Sequence, residues 1–335
     1  VIAVNRFAEL TEIMPPLYQT SPTAAKIADM SRADIEFSAQ GATLRGWFYP
    51  AEGAVGGESP CVVLQHGFAA VKEMCLDRYA ETFAAAGLAC VVYDHPGFGA
   101  SDAVPSTPRQ EIDPWQQVRF IQHAITYTAS RPDVDAERIG LWGSSYGAAH
   151  AYVTAAIDRR IKCVVGQVPA ISGSRHFREL VRIDNWAGMD AMFAAERVAR
   201  AQGREPTLMP VVTEDPTAVA ALPTPDSYHW YTSIAEQRAP AWRNEVTLLT
   251  MEYFRGYEPG AYLPLIAPTP LLMVVAPDDR LAAGELATAA YEMAAHPKRL
   301  QLVGGGHFDA YAGAGFEVSS GAARDWFVEH LLAKR

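Results

Sequence analysis

Short, almost wholly apolar runs alternate along the chain with longer segments whose apolar residues recur at helical spacing. Runs that are apolar throughout belong in strands buried on both faces, so the alternation predicts a mostly parallel sheet covered by helices on both sides. Strands are expected at 34–37 and 43–49, an opening pair, then at 61–65, 89–93, 139–143, 162–167, 271–276 and 299–303. Helices are expected at about 76–86, 114–129, 146–157, 284–295 and 316–333. The fold class is therefore α/β, a doubly wound, mostly parallel sheet of eight strands. No internal repeat, heptad pattern or low-complexity block interrupts it.

The sixth strand ends at Gln167 and the seventh starts near Leu271, an interval of about 100 residues, whereas a parallel crossover with its helix needs roughly 30. Something is inserted there. Met189, Met192, Phe193 and Val198 stand among alanines at near-helical spacing, and the segment stops at Gly203, so Trp186 to Ala201 reads as an amphipathic helix. Asp226 suits the N-cap of a helix over 227–237, and Asn244 that of one over 245–255. The expected organisation is an N-terminal arm at 1–33, a core made of 34–171 and 257–335, and a helical lid at 172–256 between strands 6 and 7. Within the lid, Trp186, Phe193, Trp230 and Tyr231 are the candidate substrate-binding residues. They belong to a wider aromatic set with Tyr228, Trp242, Tyr253 and Phe254.

The segment Gly143-Ser144-Ser145-Tyr146-Gly147 lies between the strand Arg138 to Trp142 and the alanine-rich helix Ala148 to Ile157. A Gly-x-Ser-x-Gly stretch in that setting is a nucleophile elbow. Ser145 then sits on a strained turn with the first N–H groups of a helix beneath it, donors that favour an anion beside the serine. An activated serine needs a base, an acid to orient the base and donors for the oxyanion. Gln65-His66-Gly67-Phe68 follows an apolar strand, and the backbone N–H groups of Phe68 and Tyr146 are the candidate oxyanion donors; His66, before a glycine turn, suits loop shaping better than catalysis. Three glycines, 304 to 306, precede His307 at the end of another strand, a poor setting for a core histidine and a good one for a base. The strand from Leu271 ends in Asp278 and Asp279, either of which can orient that base.

With these motifs the chain resembles the α/β-hydrolase family from about Asp34 to the C-terminus. Tyr93 to Asp102 (YDHPGFGASD) is similar to the loop after the fourth strand of such enzymes. The tail, GHFDAY at 306–311 followed by ARDWF at 323–327, resembles dienelactone-hydrolase-like and X-Pro-dipeptidyl-peptidase-like esterases, including hydrolases of secondary-metabolite pathways. Ser145 stands where dienelactone hydrolases have cysteine, so their ring-opening activity is not implied. The family's aspartate lies three residues after a glycine at the strand end. Ala276 replaces that glycine here, and the spacing selects Asp279 over Asp278.

The resulting expectation is a serine hydrolase that cleaves a carboxylic ester or thioester of a small apolar or aromatic substrate through an acyl-enzyme. Amide or carbon–carbon hydrolysis and acyl transfer on the same triad are the alternatives, and a non-catalytic binding protein is a third. The Gly97-Phe98-Gly99 stretch does not continue into a dinucleotide fingerprint, and neither a P-loop nor HExxH occurs, so neither a cofactor nor a metal is expected. A net charge of −10 without a basic run argues against nucleic acid as a partner. No apolar run reaches the roughly 18–20 residues that span a bilayer. Cys61, Cys75, Cys90 and Cys163 match no zinc spacing and read as reduced core residues, which points to the cytoplasm. The first 30 residues do not read as a signal peptide. The sequence leaves self-association open.

Overall fold

The computed structural model describes residues 32–53, 57–215 and 217–332; all but the last two positions of the expected 1–33 arm lie outside the described residues. Eight strands form the main sheet: β1 (Ala33–Ala39), β2 (Ala42–Tyr49), β3 (Ser59–Gln65), β4 (Ala89–Tyr93), β5 (Val134–Ser144), β6 (Ile161–Gln167), β7 (Leu271–Val275) and β8 (Lys298–Leu302). Their order in space is β1-β2-β4-β3-β5-β6-β7-β8, with β2 antiparallel to both of its neighbours and every other pair parallel.

The side-chain alternation of a strand separates two cores. On β3, Val62 and Leu64 join one apolar cluster, while Cys61 and Val63 join the other. The first cluster takes in α1 (Leu76–Ala84), through residues such as Tyr79 and Phe83, together with Phe316, Ala323 and Trp326 from near the C-terminus. The second takes in Phe120 and Ile121 of α2 (Pro114–Ala129) and Ala151 and Tyr152 of α3 (Tyr146–Ile157). Helices thus cover both faces, which is why β4 and the 61–64 stretch of β3 are apolar throughout.

Between β6 and β7 the chain adds α4 (Gly173–Leu180), α5 (Trp186–Ala201), α6 (Pro225–Gln237) and α7 (Leu248–Arg255), with a two-residue strand pair joining Leu208–Met209 to Val246–Thr247. Its two ends meet: the Gly173 N–H donates to Tyr257 O at 2.8 Å, and the Gly260 N–H to Ile171 O at 2.9 Å. The caps differ from those expected. Helix α6 starts one residue before Asp226, with Thr224 at the N-cap, because Pro225 is pre-set for the first helical position. Helix α7 starts after Thr247, since Val246–Thr247 is strand; Asn244 instead pairs its side chain with both the N–H and the C=O of Val212 at 2.9 Å. Helix α4 was missed because its eight residues carry few apolar positions. After β7 come α8 (Gly284–Met293) and α9 (Gly313–Phe327), the latter running on as a π turn over Val328–Leu332.

A buried ion pair ties together the loops that leave β3 and β4. Lys72 Nζ donates to Asp94 Oδ2 at 2.7 Å and its backbone N–H to Asp94 Oδ1 at 2.7 Å, while the Ala100 N–H reaches Oδ2 at 3.0 Å. The Asp94 side chain has no solvent exposure. Losing one member of such a pair strands the other charge, at a cost of about 3–5 kcal/mol. Lys72→Met is therefore expected to lower the unfolding free energy by about that amount in urea titrations, and adding Asp94→Asn should recover part of the loss.

Candidate active site

Ser145 follows β5 directly and precedes α3, at φ 58° and ψ −117°. Backbone pairing holds that conformation: the Ser145 N–H donates to Gln167 O at 2.8 Å, and its C=O accepts from Ala148, Ala149 and Ala170 at 3.1, 3.3 and 3.2 Å. The flanking glycines are dictated by close approach. A Cβ on Gly143 would lie 2.2 Å from Gly147 O, and one on Gly147 would lie 2.5 Å from His66 O. Ser144, the neighbouring hydroxyl, is buried and already engaged, 2.5 Å from the Tyr311 hydroxyl and accepting from Gln167 Nε2 at 3.2 Å.

His307 and Asp279 meet at 2.6 Å, Nδ1 to Oδ2, and both are buried. Asp279 Oδ1 accepts the N–H groups of Leu281 and Ala282 at 2.9 and 2.8 Å. Burial pushes this carboxyl up, but the facing His307, its hydrogen bond and the two N–H donors outweigh burial and hold it below its usual value. A carboxylate can only accept, so Nδ1 carries the imidazole proton and Nε2 is left as the acceptor. Asp278 is exposed. Ser145 and His307 line one cavity with Gly67, Ala70, Met74, Leu222, Trp230 and Tyr231 around them, and its volume is only about 20 Å³.

The loop after β3 runs beside the serine, where a Cβ on Gly67 would lie 3.4 Å from Ser145 Cβ. His66 shapes it. Its Nε2 accepts from the His95 N–H at 3.1 Å, which leaves the proton on Nδ1, and Nδ1–H donates to Gly67 O at 3.0 Å. Because C=O and N–H are opposed across a trans peptide, this turns the Phe68 N–H away from the buried ring. Tyr146 is the first residue of α3, and the N–H there has no intrahelical acceptor.

Of the four aromatic residues expected to bind substrate, Trp230 and Tyr231 line the cavity. Trp186 and Phe193 do not: Trp186 donates Nε1–H to Val181 O at 2.8 Å, and Phe193 packs beneath Arg255 and beside Phe177. The amphipathic face of α5 is spent on packing the insertion. Leu281, Phe308 and Tyr311 also line the cavity and sit close in sequence to Asp279 and His307, a signal the sequence did contain; Met74, Leu76 and Leu222 carried none.

Further histidines near the site are buried. Burial pushes His66 down, His95 well down and His150 to about 3, and nearby His176 goes to about 4 for the same reason. Unfolded imidazoles titrate near 6.5, so below that pH the unfolded chain takes up protons that the folded chain refuses. Stability is expected to fall as the pH drops from about 6.5 toward 5, by up to about 1.4 kcal/mol per pH unit for each such histidine. Urea titrations at several pH values check this, and His150→Gln should flatten the slope.

Comparison with known proteins agrees with this arrangement. A family model described as "Serine aminopeptidase, S33" matches residues 58–307. The thiohydrolase aneE of Aspergillus aculeatus is 30% identical over 314 residues, covering 90% of this chain and 94% of that protein. The polyketide transferase af380 of Aspergillus fumigatus is 30% identical, covering 86% and 94%. The crystal structure of the α/β hydrolase GrgF from Penicillium sp. superposes with a TM-score of 0.78 at 26% identity, covering 90% of this chain and 100% of that one. Among the described residues no helix is long and apolar enough to cross a membrane. With one family model spanning 58–307 and a relative at 30% identity along nearly its whole length, the chain belongs to the S33 serine aminopeptidase family of α/β hydrolases and is a hydrolase.

Proposed function

We propose that Ser145, His307 and Asp279 form a catalytic triad that cleaves a carboxylic ester or thioester of a small, apolar or aromatic acyl substrate. The observation that carries this reading is the Asp279–His307–Ser145 grouping: a buried carboxylate fixed on Nδ1 of an imidazole that shares a cavity with the strained serine. His307 takes the hydroxyl proton as Ser145 attacks the carbonyl and returns it to the leaving alcohol or thiol. The Phe68 and Tyr146 N–H groups receive the oxyanion, each contributing about 3 kcal/mol to the transition state. Water then attacks the acyl-enzyme with His307 as base.

The insertion at 172–256 acts as a lid. Leu222, Trp230 and Tyr231 reach the cavity from it. A volume of about 20 Å³ holds little more than a water molecule, so an acyl chain enters only when lining side chains such as Leu222 and Trp230 move. Acyl transfer to an alcohol is the second reading, favoured by the transferase relative. Cys61, Cys90 and Cys163 are buried thiols, which supports a reducing, cytoplasmic setting. The charge of −10 supports small molecules rather than nucleic acid as partners.

A fluorophosphonate probe is expected to label Ser145 and leave Ser144 free, since the Ser144 hydroxyl is buried against Tyr311; peptide mass spectrometry locates the adduct. Asp279→Asn should lower kcat by as much as ~10⁴ with the circular dichroism spectrum preserved, because an amide stabilises the wrong imidazole tautomer. Asp278→Asn should change it little. A panel of nitrophenyl esters, acyl thioesters and aminoacyl arylamides, each with an alcohol titration, separates hydrolysis of esters or thioesters from amide cleavage and from transfer.

A further inference from the structure

The backbone of the loop after β3 is held from outside the core. Tyr231, on α6, donates its hydroxyl to Phe68 O at 2.5 Å, and Trp242, in the following loop, donates Nε1–H to Ala69 O at 2.9 Å. The two rings pack together at 5.4 Å. Ala69 has φ 51°, a conformation that costs a residue with a Cβ roughly 1 kcal/mol or more and persists only where neighbours impose it. His66 fixes the carbonyl of Gly67, and the inserted segment fixes the next two in turn.

Helix α6 also reaches the opposite side of the cavity. Trp230, the residue before Tyr231, stacks on Phe308 at 4.9 Å and 22° and packs against Tyr311 at 5.2 Å. Phe308 follows His307 in the chain, and their rings lie 4.9 Å apart. One helix therefore contacts both the loop that carries the Phe68 N–H and the loop that carries His307.

We propose that Tyr231 and Trp242 are positioning residues for the oxyanion: their hydrogen bonds to the Phe68 and Ala69 carbonyls set the 67–70 backbone, so the Phe68 N–H is correctly aimed only while the insertion is docked. Neither group touches the reacting atoms. Their effect travels through two peptide units, and it makes docking of the insertion and stabilisation of the oxyanion a single event. The proposal rests on Ser145 as nucleophile and the Phe68 N–H as oxyanion donor.

Tyr231→Phe and Trp242→Phe each remove the donor and keep an aromatic ring. With a short nitrophenyl ester, each variant is expected to lose about tenfold in kcat, less than the 10²–10³ that loss of an oxyanion donor costs, while KM stays within about twofold. Phenylboronic acid, whose adduct with a serine is a tetrahedral boronate anion that places an oxygen where the oxyanion forms, should bind each variant about tenfold more weakly. Benzamide, a neutral ring that forms no adduct, should bind equally to all three proteins. A kcat within about twofold of the parent in both variants overturns the proposal, as does an equal weakening of benzamide and phenylboronic acid. If Tyr231→Phe does not fold, Trp242→Phe decides alone, since Trp242 is outside the cavity lining. Failure of the parent protein to form a boronate adduct on Ser145 overturns the triad reading as well, whereas a normal parent adduct with unaltered variants overturns only the role of Tyr231 and Trp242.

Discussion

Ser145 occupies a backbone conformation that L-amino acids avoid, and much of the surrounding structure is arranged so that it has no alternative. Strain of this kind costs about 1–3 kcal/mol and survives only if neighbouring contacts over-determine it. Here its N–H is taken by the end of β6 and its C=O by α3 and by Ala170, while Gly143 and Gly147 let strand, helix and the loop after β3 meet without a Cβ between them. The same close approach brings Gly67 against the serine. The parallel sheet is thus the frame for one turn: it brings the ends of β3, β5, β6, β7 and β8 to the same edge, where the loops after β3, β5, β7 and β8 carry Phe68, Ser145, Asp279 and His307 and the end of β6 holds the Ser145 N–H.

Elements set by strong local chemistry were legible in the sequence. The limits 114–129 and 146–157 match the structure to the residue, the first because Asp113 caps the helix ahead of Pro114 and the second because the elbow defines its start. The residues alone left Asp278 and Asp279 equal; the spacing implied by the family resemblance favoured Asp279, and in the structure Asp279 is buried and Asp278 exposed. The insertion was legible only as an interval too long for a crossover. Its caps were misplaced because Asp and Asn near a helix start have other uses: Asn244 closes a pair of bonds with Val212, and Asp226 lies inside the first turn that Pro225 begins.

Aromatic residues in the insertion were the least legible. An amphipathic helix announces that one face is covered, without saying by what. Phe193 faces Phe177 and Arg255, whereas Trp230 and Tyr231 face the cavity, and nothing in their spacing distinguishes the two cases. Trp242 bonds Ala69 O from a loop, where periodicity carries no information.

The adjacency of Trp230 and Tyr231 on one helix has a consequence for how such an enzyme diversifies. A substitution that reshapes the cavity at position 230 perturbs the seat of the residue that bonds Phe68 O. On the proposed function and the proposed role of Tyr231, preference and turnover are then entangled traits: selection for a new acyl group drags the rate with it. Leu222 lines the same cavity from another segment, whereas Leu281 gives its N–H to Asp279. On the proposed function, drift in substrate range is least constrained at Leu222, and a laboratory library aimed at that position samples new acyl groups without first dismantling the triad and its supports.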